Sequence, residues 1–340
     1  MKRKILFMSF MIFALLVIAS TLFVLPSRNK INVVEQGINY IDRHQLENGL
    51  IPYTFCFDKK LNENCKQGRN YYITASTVYS LDKIRKNYSN DKLDDIVAKS
   101  IGLLGVNMPQ NGLWKYVPID EDADISKIDP DIDDTVLISF VLNKHGYTTN
   151  NRAAIRNNRD GNGLFYEWIR ASKINNEVDP IVNTNAALYL NDKEINRVIC
   201  SALSGAIKKN EELSTQSYSD NNYALYYAIS RAYTEGIDCF GTEKDLIIKK
   251  ITADQQKTGQ IGENEFTTAL ALNTLLRFGH GDKDFYNKSF NYLFKGQQED
   301  GGWELYPFYC ETRAMVWCSG SRSYATAVAL EAITHYYFKK

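Results

Sequence analysis

The sequence predicts an all-α fold: a closed ring of about six outer–inner helical hairpins, preceded by one N-terminal transmembrane helix. Three observations carry that prediction. Alternating strand patterns are nearly absent from the 340 residues. A unit of roughly 50 residues recurs, built from an amphipathic helix, a glycine-containing turn and a second helix apolar on nearly every face. A helix apolar all round must be buried. Paired helices that each bury one face close most simply into an α/α toroid, with the inner helices lining a central cavity. An open superhelical array of hairpins is the alternative, but it requires neither six pairs nor a Gly–aromatic turn after most outer helices.

The elements follow in order. Lys2, Arg3 and Lys4 precede an uncharged run from Ile5 to Leu25, which ends at Pro26. As a helix that run spans about 30 Å, the hydrocarbon thickness of a bilayer. It is longer than the apolar core of a cleaved signal peptide and lacks the A-x-A pattern at its end, which favours an uncleaved anchor over a signal. The basic residues before it favour a cytoplasmic N-terminus and an extracytoplasmic body. The expected organisation is therefore an anchor over 1–30 and one toroid domain over 31–340, with no linker tract between hairpins.

The outer helices are expected at 31–45, 92–108, a less regular segment near 150–158, 193–209, 243–256 and 282–298. They place apolar residues at three- and four-residue spacing, with Lys, Glu and Asp between. The inner helices are expected at 73–84, 133–146, 182–190, 222–233, 266–279 and 323–337. Most open with Thr, Asp or Asn, natural helix-capping residues, and continue in Ala, Leu, Val and Tyr. Turns such as QLENGLIPY (45–53), PQNGLWKY (109–116) and QEDGGWELY (298–306) join outer to inner helix.

The six cysteines are an even number, as expected of disulfides in an oxidising compartment. Cys56 with Cys65 and Cys310 with Cys318 each close a short loop, which leaves Cys200 for Cys239; six buried free thiols are the alternative. A formal net charge of +0 gives nucleic acid nothing to bind. Four histidines and no C-x-x-C leave no metal site or cofactor to expect. Asp120, Glu121, Asp122 and Asp124 lack the glycine and final glutamate of an EF-hand and suit a solvated acidic loop.

Two motifs add a resemblance. Gln297-Gln298-Glu299-Asp300-Gly301-Gly302-Trp303 matches the Q-x(2–5)-G-x-W repeat of squalene and oxidosqualene cyclases, and Gln110-Asn111-Gly112-Leu113-Trp114 is a weaker copy. Asp131-Ile132-Asp133-Asp134-Thr135 matches the D-x-D-D-T of class II terpenoid cyclases. Over residues 31–340 the chain resembles the terpenoid-cyclase and protein-prenyltransferase toroid superfamily. The resemblance implies Asp133 as the acid that protonates an alkene or epoxide, with Asp131 and Asp134 tuning it. Carbocation intermediates need π faces, and Tyr223, Tyr226, Tyr227, Trp303 and Tyr324 stand on or before inner helices. The same four letters also serve as helix-start grammar, with Asp131 as N-cap and acids in the first turn.

A second class of function is a glycan-processing hydrolase or lyase. It needs two carboxyl groups about 5–9.5 Å apart, for which Asp133, Asp179 and Glu304 are candidates. Trp114, Trp168, Trp303 and Tyr306 would stack on sugars, and Asn183 and Asn185 would hydrogen-bond a ligand at the cavity mouth. A third class is a non-catalytic toroid holding a lipid or a protein partner.

Overall fold

The computed structural model describes residues 30–68, 70–116, 128–212, 222–311 and 317–339. The apolar run at 5–25, and with it the expected anchor, lies outside the described residues. Among the described residues no helix is long and apolar enough to cross a membrane.

Helix α1 spans residues 30–44. It is followed by α2 (Tyr71–Asn87), α3 (Asp91–Val106), α4 (Ile132–Lys144), α5 (Arg152–Arg156) and α6 (Pro180–Leu190). The chain continues through α7 (Lys193–Lys209), α8 (Tyr223–Thr234), α9 (Lys244–Ala253), α10 (Glu265–Phe278), α11 (Lys283–Gly296) and α12 (Arg322–Tyr337). The even-numbered helices form the inner ring. Helix α2 packs on α4, α4 on α6, α6 on α8, α8 on α10 and α10 on α12, and α12 returns to α2. Composition sorts the two layers. Every residue of α6 is buried, whereas α7 buries only a stripe that includes Ile195, Ile199, Leu203 and Ile207. The third outer element, α5, is a single short turn of helix.

A small set of bonds repeats around the ring. Ile51, Trp114, Phe165, Ile261 and Trp303 each donate a backbone N–H to the side chain of Thr74, Thr135, Asn183, Thr268 and Thr326 respectively, over 2.8 to 3.1 Å. Each donor stands two residues after a glycine of positive φ. Gly301 has a φ of +91°, and a Cβ there would lie 2.4 Å from the carbonyl oxygen of Gln36 in α1, so only glycine fits. The glutamines of the repeat sew neighbouring outer helices together. Gln45 donates to Ile96 O and Ser100 Oγ of α3, both at 2.9 Å. Gln255 makes the same pair of bonds to Phe285 O and Ser289 Oγ of α11. Gln297 reaches Val33 O of α1 at 2.9 Å and so closes the ring.

The all-α expectation needs one correction. Strands β1 (Tyr53–Cys56), β2 (Lys66–Gly68), β3 (Tyr309–Glu311) and β4 (Trp317–Gly320) form an antiparallel sheet in the order β2-β1-β4-β3. Strands of three and four residues are too short for a period-two pattern to register. Their central pairing also joins segments more than 250 residues apart, for which no local signal exists. The sheet lies where α2 and α12 begin. Two disulfides, Cys56–Cys65 and Cys310–Cys318, staple it, and Cys200–Cys239 ties α7 to a short 3-10 turn at Asp238–Gly241. These are the three expected pairs, and they suit an oxidising compartment.

Candidate active site

Helix capping separates the ordinary residues of D-x-D-D-T from the unusual ones. Asn70, Asp131, Asp179 and Asn264 cap α2, α4, α6 and α10, each accepting a bond from a backbone N–H of the first turn. Four positions after each cap come Thr74, Thr135, Asn183 and Thr268, the acceptors of the repeat. Asp131 and Thr135 therefore do what their counterparts do in three other hairpins of this ring. Asp133 does not. It stands two residues after its cap, where α2, α6, α8 and α10 carry Tyr72, Ile181, Ala224 and Phe266, all four lining an inner chamber at the centre of the ring, and α12 carries Ser323. A carboxyl group occupies, in α4 alone among these six, a position given in four of the others to apolar and aromatic walls. It is 2% exposed.

Two spaces that share walls lie close by, bounded by Asp131, Asp134 and the Asp133 partner Tyr72 rather than by Asp133 itself. The outer one, about 210 Å³, is bounded by Asp131, Asp134 and Glu167 together with Tyr116, Trp168 and Trp317. The inner chamber is about 40 Å³, and Tyr227, Arg231 and Tyr324 line it. Tyr72 and Phe308, their rings stacked 6.4 Å apart, belong to the walls of both. Edge-on contacts continue from Phe308 to Tyr324 and from Tyr324 to Phe266, so the walls are aromatic faces over much of their extent.

The electrostatics centre on Asp133. Its Oδ1 accepts from Asn185 Nδ2 at 2.6 Å, and the Tyr72 hydroxyl bonds the same carboxyl group. The Oδ1 atom of Asn185 accepts in turn from Arg231, which fixes the amide with its NH2 towards Asp133. Burial, and then the neighbouring charge of Asp133, push the Asp131 carboxyl well above the usual carboxylate range. Burial, followed by the charges of Asp131 and Asp133, does the same to Asp134, whose Oδ1 is buried with no hydrogen-bond partner. Burial and mutual repulsion thus both favour the protonated forms of Asp131 and Asp134.

Of the residues expected at the site, Asp131, Asp133, Asp134, Asn185, Tyr227 and Tyr324 come together here. Others serve the scaffold instead. The Asn183 side chain exchanges two bonds with the backbone of Phe165. Tyr223 bonds Asp254 and Tyr226 bonds Glu212, both towards the outer layer. Trp303 is buried, and its Nε1 donates to Leu293 O at 2.9 Å, so it packs a turn. Glu304 is exposed, and Asp179 is spent as a cap; neither faces Asp133 across a cavity. The acidic residues at 120–124 lie outside the described residues. The one His, Cys or carboxylate grouping close enough for a metal, among the described residues, is Cys56, Asp58 and Cys65, and its thiols are joined in a disulfide.

Sequence reasoning passed over Arg231, Arg277 and Glu331, although a charged residue inside an all-apolar buried helix is a signal in itself. It also passed over Phe308, Tyr309 and Trp317, which the small sheet delivers and which no local pattern marks.

Comparison with solved structures places this geometry. The type II terpene cyclase MstE from Scytonema matches with a TM-score of 0.66 over 90% of this chain and 98% of that chain, at 13% identity. The chain is an α/α toroid. An ent-copalyl diphosphate synthase from Streptomyces platensis matches with a TM-score of 0.51 over 78% of this chain and 50% of that one, at 14% identity. An unsaturated glucuronyl hydrolase specific for heparin matches with a TM-score of 0.57 over 91% of this chain and 97% of that one, at 9% identity. At these identities the likeness is one of fold, and this fold hosts unrelated activities. No protein-family model matches the chain, and no curated protein matches it in sequence.

Proposed function

We propose that this toroid is an acid catalyst of the type II terpene-cyclase kind, in which Asp133 delivers a proton to a carbon–carbon double bond of an isoprenoid. One observation carries the reading: Asp133 is a buried carboxyl group at the register where the neighbouring inner helices supply chamber walls. In the step, the O–H bond of the Asp133 carboxyl breaks, the alkene π pair takes the proton into a new C–H bond, and a carbocation forms at the more substituted carbon. Asn185 and Tyr72 stabilise the carboxylate left behind. Tyr227, Tyr324 and Phe266 offer π faces to the cation. Burial favours the protonated forms of Asp131 and Asp134, so that a proton is close at hand for the next cycle. A single toroid is extent enough for this chemistry, since the match to MstE covers nearly all of that cyclase.

The test is incubation with geranylgeranyl dihydroxybenzoate, the substrate bound in a structure of the Scytonema cyclase, and with geranylgeranyl diphosphate, followed by mass spectrometry of cyclised products. Asp133→Asn should lower turnover by about 10²–10⁴-fold, the usual worth of a positioned general acid, with an unchanged circular-dichroism spectrum. Cyclisation at the wild-type rate by Asp133→Asn sinks the assignment.

A glycan reading has one observation of its own: Glu167 shares the outer cavity with Asp131 and Asp134. An unsaturated glucuronyl disaccharide is its probe. Turnover of that disaccharide, lost in Glu167→Gln, and no turnover of the prenyl probes would move the conclusion to a glycan hydrolase. In either case the three disulfides favour work outside the reducing cytoplasm, with the apolar run at 5–25 as a membrane anchor.

A further inference from the structure

The inner chamber contains a charge without a counter-charge. Arg231 lies in the middle of α8 and is 4% exposed. Its neighbour Arg277 is equally buried but pairs with Glu331, and Lys250 pairs with Glu212. Among the described residues no carboxylate forms an ion pair with Arg231. One of its terminal nitrogens donates to Asn185 Oδ1, and its Nε has no partner. The rings of Tyr79 and Tyr227 lie 5.2 and 5.8 Å from the guanidinium carbon. Ring faces and a neutral amide compensate a buried cation only in part, because desolvation removes far more than they return. Arg231 also lines the chamber itself.

An unpaired cation here bears on the chemistry. A carbocation generated next to Asp133 would form near this guanidinium, and like charges in a dry site repel strongly. An anionic group brought in by the ligand removes both difficulties together. It supplies the missing counter-ion, and together with the Asp133 carboxylate left behind it balances the guanidinium and the new cation. The planar fork of an arginine matches a carboxylate with two parallel bonds. At about 40 Å³ the chamber has room for about three waters, each needing about 10–15 Å³, and so for one such group once they leave.

We propose that Arg231 binds the carboxylate of an unsaturated ligand, seating it in the inner chamber so that the double bond lies beside Asp133. This rests on the proton-transfer reading of the site and narrows its substrate class to alkenes bearing a carboxylate. Two sources share that chemistry, a prenylated aromatic acid and an unsaturated uronic acid.

Calorimetric titration tests it with four probes: geranylgeranyl dihydroxybenzoate, an unsaturated glucuronyl disaccharide, and the methyl ester of each. At least one acid should bind the wild type about tenfold or more tightly than its ester, and which acid does so identifies the source. Arg231→Gln should abolish the difference. Asp133→Asn should keep it while losing turnover, so the carboxylate site and the acid assignment can fail independently. Arg231→Met should melt no lower than the wild type, since it removes an unpaired buried charge. The proposal is overturned if neither acid binds, if acid and ester bind alike, or if Arg231→Gln keeps the preference. Failure of both Arg231 variants to fold would make Arg231 a structural pillar and overturn it equally.

Discussion

At the scale of single residues, the aspartates of α4 divide into one that folds the helix and two that burden it. Asp131 caps, as its counterparts do in three other hairpins. Asp134 is 3% exposed, leaves Oδ1 without a partner, and has a carboxyl pushed well above the usual range by burial and by its two neighbours. A group whose folded-state pKa is raised adds stability below its unfolded pKa and loses it as pH rises towards the folded value. Asp134 therefore costs stability at neutral pH, where the unfolded chain releases its proton freely. Asp134→Asn should melt higher than the wild type at pH 7, and the gap should close below about pH 4, where the unfolded carboxyl is itself protonated. Thermal melts of both proteins at the two pH values measure this, and a gap that widens on acidification would contradict it. The motif located Asp131, Asp133 and Asp134 correctly on the chain, but only the comparison of register between helices separated their roles.

At the scale of elements, five of the hairpins are fixed by a threonine or asparagine that takes a backbone N–H from the preceding turn. Thr135 does this for Trp114, with its own Oγ1 2.9 Å from that nitrogen. Thr135→Val keeps the shape and deletes the acceptor, leaving a buried N–H unpaired at a cost of about 1–3 kcal/mol. Denaturant unfolding should record that loss in Thr135→Val and little loss in Asp133→Asn. Equal losses would mean that Asp133 belongs to the scaffold as well. The hairpins themselves were readable because amphipathic and all-apolar helices differ in periodicity over a dozen residues or more. Helix α5, at five residues, and the four short strands fall below the length at which periodicity carries information. Trp303 illustrates the limit from the other side. Its place in the repeat was evident, yet that its ring turns to the preceding outer helix, α11, was decided by the bond from its Nε1 to Leu293 O.

At the scale of the whole molecule, the ring is held from its centre as well as around its rim. Glu331 of α12 accepts from Arg277 of α10 and from the Tyr227 hydroxyl of α8, at 2.9 Å for the latter. Three inner helices thus meet on one buried carboxylate, 2% exposed. Breaking a buried pair from one side leaves a charge uncompensated, which costs about 3–5 kcal/mol. Glu331→Gln should lower the unfolding free energy by that amount, whereas Glu331→Gln combined with Arg277→Met should recover part of it. An unfolding free energy unchanged in Glu331→Gln would count against this central tie. The same comparison sharpens the case of Arg231, a cation of equal burial on the same ring that has been given no such partner.

The sequence by itself determined six hairpins, the order of their layers and the helix that carries the aspartates, and it suggested two local cysteine pairs that left Cys200 for Cys239. These are local matters: a helix's buried face and its caps are written within one or two turns, and a nearby cysteine pair is limited by the length of chain between its members. The tertiary structure alone decided which side chains share the chamber. Tyr72, Ile181, Ala224 and Phe266 meet there because four separate helices begin in the same register, and a sheet that pairs two distant segments brings Phe308 to the same chamber and Trp317 to the outer cavity. Convergence of this kind is set by the closure of the ring. No segment short enough to be read alone contains it.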